Sequence, residues 1–285
     1  MSAAAPPARA VGVFDSGVGG LTVLRALRDA LPDEDYIYLG DTARLPYGTK
    51  SEHTVVRYAL QAADELVARD VKCLVVACNT AAAAALPAMR ERYADLPVIG
   101  VIEPGARAAC ELSRTGRILV LATESTVRGG AYARAILALD PQARVTALPC
   151  TLFVALAEEG WTAGAVPRAV AERYLGYLRA APAASAPDTL LLGCTHFPVL
   201  AAVISAVAGE DMRCVDSALT TAGAVRALLQ GANLLRQPAA AGTAARGARA
   251  AMQFLATDGA ERFATVGERF LGEPIDAGAV DLIDL

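Results

Sequence analysis

Short apolar runs alternate along this chain with longer alanine-rich segments, and the alternation limits the folds open to it. Apolar runs of about five residues suit buried strands, and longer segments with helical periodicity suit helices that cover them. The alternation predicts an α/β fold with a parallel sheet covered by helices. The predicted strands are residues 10–14, 36–40, 73–77, 97–101, 117–122, 144–148, 189–193, 212–215 and 252–257. The predicted helices lie near residues 20–30, 52–69, 80–93, 105–113, 127–139, 151–158, 167–179, 198–207, 218–230 and 259–272. Residues 231–250 are low in complexity and predict a surface connection.

Charge and hydropathy exclude some classes of protein. The net charge is -4 and like charges form no block, so we expect no nucleic-acid partner. No apolar run approaches the roughly 20 residues that span a bilayer, so we expect no membrane association. The first ten residues lack the features of a signal peptide. These observations predict a cytoplasmic protein.

Six cysteines and two lysines narrow the chemistry. Cytoplasmic thiols stay reduced, and the spacing contains no CxxC pair typical of structural zinc. We expect four of the cysteines to be buried packing residues. Lys50 and Lys72 are the only lysines, so the chain offers few candidates for a Schiff base with pyridoxal phosphate.

One sequence pattern occurs twice. LVVACNT at residues 74–80 and LLLGCTH at 190–196 each carry an apolar strand into a cysteine, then polar residues, then a helix. VGVFDSG at 11–17 has a weaker counterpart in ILVLATEST at 118–126. The repetition suggests two related α/β halves that face each other. Since all βα units share this pattern, the repetition is equally consistent with halves that are unrelated.

Four polar clusters follow predicted strands, where ligands bind in open α/β sheets. Two of them are ACNT and GCTH, which contain Cys78 and Cys194. The other two are FDSGVGG at 14–20 and DTARLPYG at 41–48, each of which could also be an ordinary turn. A helix N-terminus lowers the pKa of a cysteine from about 8.5, so we expect both thiols to be acidified.

The two thiols permit three kinds of chemistry. A Cys–His pair could act as a hydrolase nucleophile, although that chemistry needs only one thiol. Cys78, Cys194, His196 and Asp15 could form a metal site, although the ligands are scattered. Two thiols on facing halves could also invert a carbon centre, one removing a proton while the other delivers one. His53, the other histidine, is expected on the surface.

The quoted motifs, together with GVIEPG, LATESTV, LGCTHFP and VDSA, closely resemble the glutamate racemases of the aspartate/glutamate racemase superfamily. The resemblance covers nearly the whole chain. It implies two pseudo-symmetric α/β domains, each a mostly parallel sheet flanked by helices, with the active site in the cleft between them. The expected domains are residues 1–103 with 214–285, and residues 104–213.

The resemblance also implies roles for individual residues. Cys78 and Cys194 correspond to the two catalytic acid/bases, with Asp15 beside the first and His196 beside the second. Glu158 corresponds to an assisting carboxylate, although Glu159 is its neighbour. The implied substrate contacts are Asp15, Ser16, Tyr47, Gly48, Asn79, Thr80, Thr123, Thr126, Thr195 and His196. Phe197 and Ala155 depart from the family's pattern, and we expect neither to touch the chemistry.

The implied function is conversion of L-glutamate to D-glutamate without a cofactor or metal, in a homodimer, to supply peptidoglycan synthesis for the cell wall and cell shape. Two other functions stay open at this point. One is a racemase or isomerase of the same superfamily that acts on aspartate or another small acid. The other is a dicarboxylate-binding protein without catalysis.

Overall fold

The computed structural model describes residues 7–180, 182, 185–236 and 250–285 of the chain. Its strands are β1 (Val11–Asp15), β2 (Tyr36–Gly40), β3 (Cys73–Val76), β4 (Val98–Gly100), β5 (Arg117–Ala122), β6 (Arg144–Pro149), β7 (Thr189–Gly193), β8 (Arg213–Asp216), β9 (Met252–Ala256) and β10 (Val280–Leu282). Its α-helices are α1 (Leu21–Ala30), α2 (Glu52–Ala68), α3 (Asn79–Arg92), α4 (Ile102–Leu112), α5 (Glu124–Gly129), α6 (Ala131–Leu139), α7 (Leu152–Glu158), α8 (Ala165–Leu175), α9 (Ala201–Ala208), α10 (Ser217–Gly231) and α11 (Ala260–Leu271).

The strands form two sheets in which every described pairing is parallel. The first sheet has the order β10-β9-β2-β1-β3-β4, and the second has the order β6-β5-β7-β8. Helices flank both sheets, so the predicted α/β class is confirmed. We call the first sheet with its packed helices the first lobe, and the second sheet with its packed helices the second lobe. The proposed domain boundaries near residues 104 and 213 stay a prediction.

The central strands explain why the sheets form where they do. Every residue of β1, β3 and β7 is buried, as expected for strands covered on both faces by helices. Their near-continuous Val and Leu content is typical of such strands. The polar clusters begin at or just past the carboxyl ends of these strands, which places them at one edge of each sheet.

Some predicted elements differ from the structure. The predicted helix at 127–139 is two helices, α5 and α6, because Gly130 between them has a φ of 63° and interrupts the helix. The predicted helix at 198–207 begins as a 3₁₀ helix at Phe197–Leu200 and becomes α9 at Ala201. Strand β10 was not predicted from the sequence. Residues 237–249 of the predicted surface connection lie outside the described residues.

The described helices include none long and apolar enough to cross a membrane.

Candidate active site

A cavity of about 260 Å³ lies between the carboxyl edges of the two sheets. All the predicted site residues line it, except Asp15 and Thr126. A larger cavity of about 450 Å³, beside α1, has no thiol or imidazole in its lining. The smaller cavity therefore brings together the groups that could carry chemistry.

Cys78 enters the cavity from the first lobe. It follows β3 and caps the N-terminus of α3, where its Sγ accepts a hydrogen bond from Ala81 N at 3.4 Å. The thiol donates to Ser16 Oγ at 3.3 Å. The side chain is only 5% exposed. The strand and the helix cap together fix the direction of this thiol.

The prediction that the helix N-terminus acidifies Cys78 is wrong. Burial and, to a lesser degree, the nearby carboxyl of Asp15 raise the pKa of Cys78 to about 12. The hydrogen bonds that Ser16 Oγ and the backbone N–H of Ala81 can donate to the thiolate lower this pKa, but they do not outweigh desolvation. The resting thiol is therefore protonated at neutral pH.

Cys194 enters the cavity from the second lobe, just after β7. A 3₁₀ helix follows it, so the α-helix N-terminus that the sequence predicted at this thiol is absent. Its Sγ lies 3.8 Å from His196 Nδ1. Cys194 thus has an imidazole as its polar partner, whereas Cys78 has a hydroxyl and a backbone N–H.

His196 forms a second contact through its other nitrogen. His196 Nε2 lies 3.3 Å from Glu158 Oε1, whereas the neighbouring Glu159 is exposed. Burial lowers the pKa of His196, but its interactions with Cys194, Glu158 and Asp15 raise it to about 10. The hydrogen bond from His196 in turn lowers the pKa of Glu158. The pair is therefore an imidazolium and a carboxylate at neutral pH.

This pairing predicts a simple NMR result. The chain has two histidines, so the exposed His53 provides a reference resonance in the same spectrum. We expect the imidazole of His196 to stay protonated through pH 8 and to titrate near pH 10. In a Glu158→Gln variant the midpoint falls, because the anion that favours the charged imidazole is gone. A wild-type midpoint at or below 6.5 contradicts the assignment.

Asp15 lies behind the cavity and does not line it. Its Oδ2 accepts a hydrogen bond from Gly17 N at 3.0 Å, and its Oδ1 has no hydrogen-bond partner among the described residues. Burial raises the pKa of this carboxyl, whereas the charge of His196 lowers it. The charge of Asp15 thus acts on Cys78 and on His196, the neighbour of Cys194.

Gly19 lets the two lobes approach each other. A Cβ at this position would lie 2.4 Å from the His196 ring and 2.5 Å from Thr195 Oγ1. Thr22, in the first turn of α1, donates from its hydroxyl to the carbonyl of Thr195 at 2.9 Å. The first lobe therefore contacts the second lobe directly beside the imidazole.

We expect Gly19→Ala to displace His196 and to destabilise the protein by about 1–3 kcal/mol, as overpacked sites do. Gly223→Ala is the matched control, because nothing lies within 4 Å of a Cβ there and Gly223 is in the interior of α10. The control should be stabilising by about 0.5–1 kcal/mol. Denaturant unfolding measures both, and equal effects of the two substitutions would refute the steric argument.

Hydroxyl and amide groups line the rest of the cavity. Thr80 Oγ1 lies 2.9 Å from Thr123 Oγ1 and 3.2 Å from Thr126 Oγ1, and the latter two are 3.0 Å apart. Asn79 Oδ1 accepts from Tyr132 Oη at 2.6 Å, and Asn79 Nδ2 has no partner among the described residues. These groups can donate hydrogen bonds to an anion without a basic side chain.

The loop after β2 closes one side of the cavity. Tyr47 is buried, and its hydroxyl donates to Asp41 Oδ2, so this hydroxyl is already engaged. Asp41 also accepts from Arg44 Nε at 2.7 Å and from Thr257 Oγ1 at 2.9 Å. Gly48 packs so closely that a Cβ there would lie 2.8 Å from Thr123 Cβ. Asp41 anchors this loop and opens the DTARLPYG motif, but it was not among the residues predicted from the sequence.

Six residues that line the cavity were not among the site residues predicted from the sequence. They are Leu45, Pro46, Thr49, Thr151, Val154 and Ala155. Ala155 lines the same cavity as both thiols, and the expectation that it does not touch the chemistry stays a prediction. Phe197 is buried and packs edge-on against Phe153, with ring centroids 5.5 Å apart.

The remaining cysteines and the lysines lie elsewhere. Cys73 and Cys150 are buried as expected, but Cys110 and Cys214 are only partly buried. Neither Lys50 nor Lys72 lines the cavity, and Lys72 is buried in an ion pair with Glu34. Within the described ranges, no group of three or more His, Cys, Asp or Glu residues is placed to hold a metal ion.

Comparison with known proteins identifies the family. A sequence model described as Asp/Glu/Hydantoin racemase matches residues 20–225. The glutamate racemase of Geobacter metallireducens is 50% identical over 266 residues, which cover 93% of this chain and 94% of that protein.

Solved structures agree with this match. A glutamate racemase isoform from Bacillus anthracis superposes with a TM-score of 0.88 at 36% identity, covering 97% of this chain and 98% of that one. The glutamate racemase of Francisella tularensis, solved in complex with D-glutamate, superposes with a TM-score of 0.86 at 35% identity, covering 98% of both chains. The chain therefore belongs to the aspartate, glutamate and hydantoin racemase family.

Proposed function

We propose that this protein interconverts L-glutamate and D-glutamate by two-base proton transfer at the α-carbon, without a cofactor. The observation that carries the proposal is the meeting of two thiols, one from each lobe, in a single cavity. The relatives at 50% and 36% identity are glutamate racemases, which supports glutamate as the substrate. The volume of about 260 Å³ suits a small acid, since it lies below the roughly 300 Å³ at which sites for drug-sized ligands begin.

In this mechanism one thiolate removes the α-proton from one face while the other thiol protonates the opposite face. The roles of Cys78 and Cys194 are exchanged in the reverse direction, so both residues act as acid and as base. Asp15 and Ser16 act beside Cys78, whereas His196 and Glu158 act beside Cys194. His196 Nδ1 lies 3.8 Å from Cys194 Sγ, within reach for a protonated imidazole to donate to that sulfur.

Forming the thiolate of Cys78 is energetically costly. With a pKa of about 12, its deprotonation at pH 7 costs roughly 7 kcal/mol. The α-ammonium of a bound amino acid reduces this cost, because it brings a positive charge beside the buried thiol. The site must therefore bind substrate before it produces a reactive thiolate at Cys78, and a site that excludes water strengthens this effect.

The polar lining supplies the proposed substrate contacts. We assign the carboxylate contacts to hydroxyls and amides that line the cavity, those of Ser16, Asn79, Thr80, Thr123 and Thr195. Thr126 supports Thr80 and Thr123 from behind. Because the Tyr47 hydroxyl is engaged with Asp41, we assign Tyr47 and Gly48 to contacts through the backbone.

Incubation of the purified protein with each glutamate enantiomer in deuterated water, without added pyridoxal phosphate, tests the proposal. We expect both enantiomers to convert and the product to carry deuterium at the α-carbon. Failure of either enantiomer to convert refutes the function. Equal or better turnover of aspartate would favour the related aspartate activity. Ligand-dependent thermal protection without α-proton exchange would indicate a binding protein.

The proposal extends to the cellular role. D-Glutamate produced in the cytoplasm would supply peptidoglycan synthesis, as the family resemblance implies. The same resemblance supports a homodimer, and sedimentation equilibrium of the purified protein tests it. A monomer at micromolar concentration would contradict that part of the proposal alone.

A further inference from the structure

Helix α11 belongs to the first lobe but contacts the Glu158–His196 pair of the second lobe. It packs on α1 and follows β9 of the first sheet. Arg262, Arg269 and Phe270 are separated by seven and eight residues along this helix, so they share one face. We call these three residues the α11 clamp.

Each clamp residue contacts the pair at a different point. Arg262 Nη2 donates to Glu158 Oε2 at 3.1 Å. Arg269 Nη1 donates to the backbone carbonyl of Glu158. The ring of Phe270 lies edge-on to the His196 imidazole, with centroids 5.1 Å apart and planes at 74°.

The contacts fix both ends of the Glu158 carboxylate. Its Oε1 faces His196 and its Oε2 faces Arg262, so the plane of the carboxylate is set from two sides. A carboxylate held by a single hydrogen bond can still rotate, and a second hydrogen bond to its other oxygen removes this freedom. Supporting contacts of this kind orient the groups that touch a reacting centre.

Arg269 acts at the end of α7, the short helix that carries Glu158. The last carbonyls of a helix lack backbone partners, and a cation there is favourable. Gly160 follows with a φ of 75°, and a Cβ on it would lie 3.2 Å from the Arg269 guanidinium. The chain thus leaves room for this arginine against the helix end.

The Arg262 ion pair contributes little to stability. The Arg262 side chain is 68% exposed, and ion pairs of this kind are weak in water. Its partner Glu158 is more buried, with 19% of its side chain exposed. The effect of Arg262 is therefore expected in the geometry of Glu158 and not in the unfolding free energy.

We propose that Arg262 and Arg269 are positioning residues that hold Glu158 against His196, so that this hydrogen bond depends on contact between the two lobes. The inference rests on the proposed racemase function. The inference deepens that function by coupling Cys194, His196 and Glu158 to a helix of the opposite lobe. A separation of the lobes would remove all three clamp contacts at once.

A double-mutant cycle tests the proposal. We expect Arg262→Gln to lower kcat about 10-fold in both directions with KM unchanged, near the lower end of the range for supporting contacts. In a Glu158→Gln background the same substitution should have no further effect, because Arg262 acts through that carboxylate. Arg262→Lys should fall between, since it keeps the charge but loses the planar geometry. Arg168→Gln, which removes an exposed arginine from α8, is the control and should match wild type.

Two results of the kinetic cycle overturn the inference: full kcat in Arg262→Gln, or the same loss in the Glu158→Gln background. A readout without substrate separates this from failure of the function. The His196 imidazole resonance should move in Arg262→Gln and stay in place in Arg168→Gln, whether or not glutamate is converted. If the wild type does not racemise glutamate, the proposed function fails. If the resonance does not move, the clamp fails.

Discussion

Cys78→Ser and Cys194→Ser variants are each expected to lose glutamate racemisation by roughly 10²- to 10⁴-fold, the range for loss of a general acid or base. A serine hydroxyl is a much weaker acid than a thiol, so it neither releases nor accepts the α-proton at a useful rate. The loss should appear in both directions, because every turnover uses one residue as base and the other as acid. Polarimetry from each enantiomer measures it.

A third thiol provides the control. Cys110 lies outside the cavity, partly buried and near the carbonyl of Ile136. Cys110→Ser should keep wild-type turnover. Full activity in either cavity variant would refute the two-thiol mechanism while leaving racemisation itself in place. A loss confined to one direction would contradict the requirement for both thiols in each turnover.

Lys72→Met is expected to have the largest effect on stability, lowering the unfolding free energy by about 3–5 kcal/mol. Lys72 is fully buried, and its Nζ donates to Glu34, to the carbonyl of Pro7 at 2.6 Å and to that of Leu234 at 2.8 Å. Removing the ammonium leaves the Glu34 carboxylate buried without its counter-charge. Urea denaturation measures the change.

Two further variants make this prediction specific. Lys72→Met combined with Glu34→Gln should recover part of the loss, since no unpaired charge then remains. Arg168→Met breaks an exposed ion pair on α8 and should leave the unfolding midpoint near that of wild type. A Lys72→Met midpoint equal to that of Arg168→Met would show that the buried pair is unimportant.

The central strands and the main site residues could be predicted from the sequence because their signals are local. Val and Leu runs such as 73–76 and 189–193 have few alternatives to a buried strand, and the polar residues after them mark the edge of the sheet. Cys78 and Cys194 could be found because each follows such a run. These inferences need no knowledge of what lies across the cleft.

The features that were missed depend on tertiary contacts. The pKa of Cys78 is set by burial and by Asp15, which outweigh the helix N-terminus that the sequence showed. Ala155 is exposed on α7 and lines the cavity only because of where α7 lies in the folded protein. The short β10 segment, Val280–Leu282, forms a strand only because β9 offers an edge for pairing. The glycine at position 130 could be read from the sequence, but its positive φ could not.

The strand order also has a consequence for protein synthesis. Strands of the second sheet come from the continuous stretch 117–216, whereas the first sheet pairs β2 with β9, from residues 252–256. Ribosomes make chains from the N-terminus, so the second sheet can pair its strands while the first still lacks β9 and β10. Helix α11 is made at the same late stage. A nascent chain therefore contains both thiols before it contains α11, the helix proposed to hold Glu158 against His196, and we expect it to gain activity only after α11 has folded.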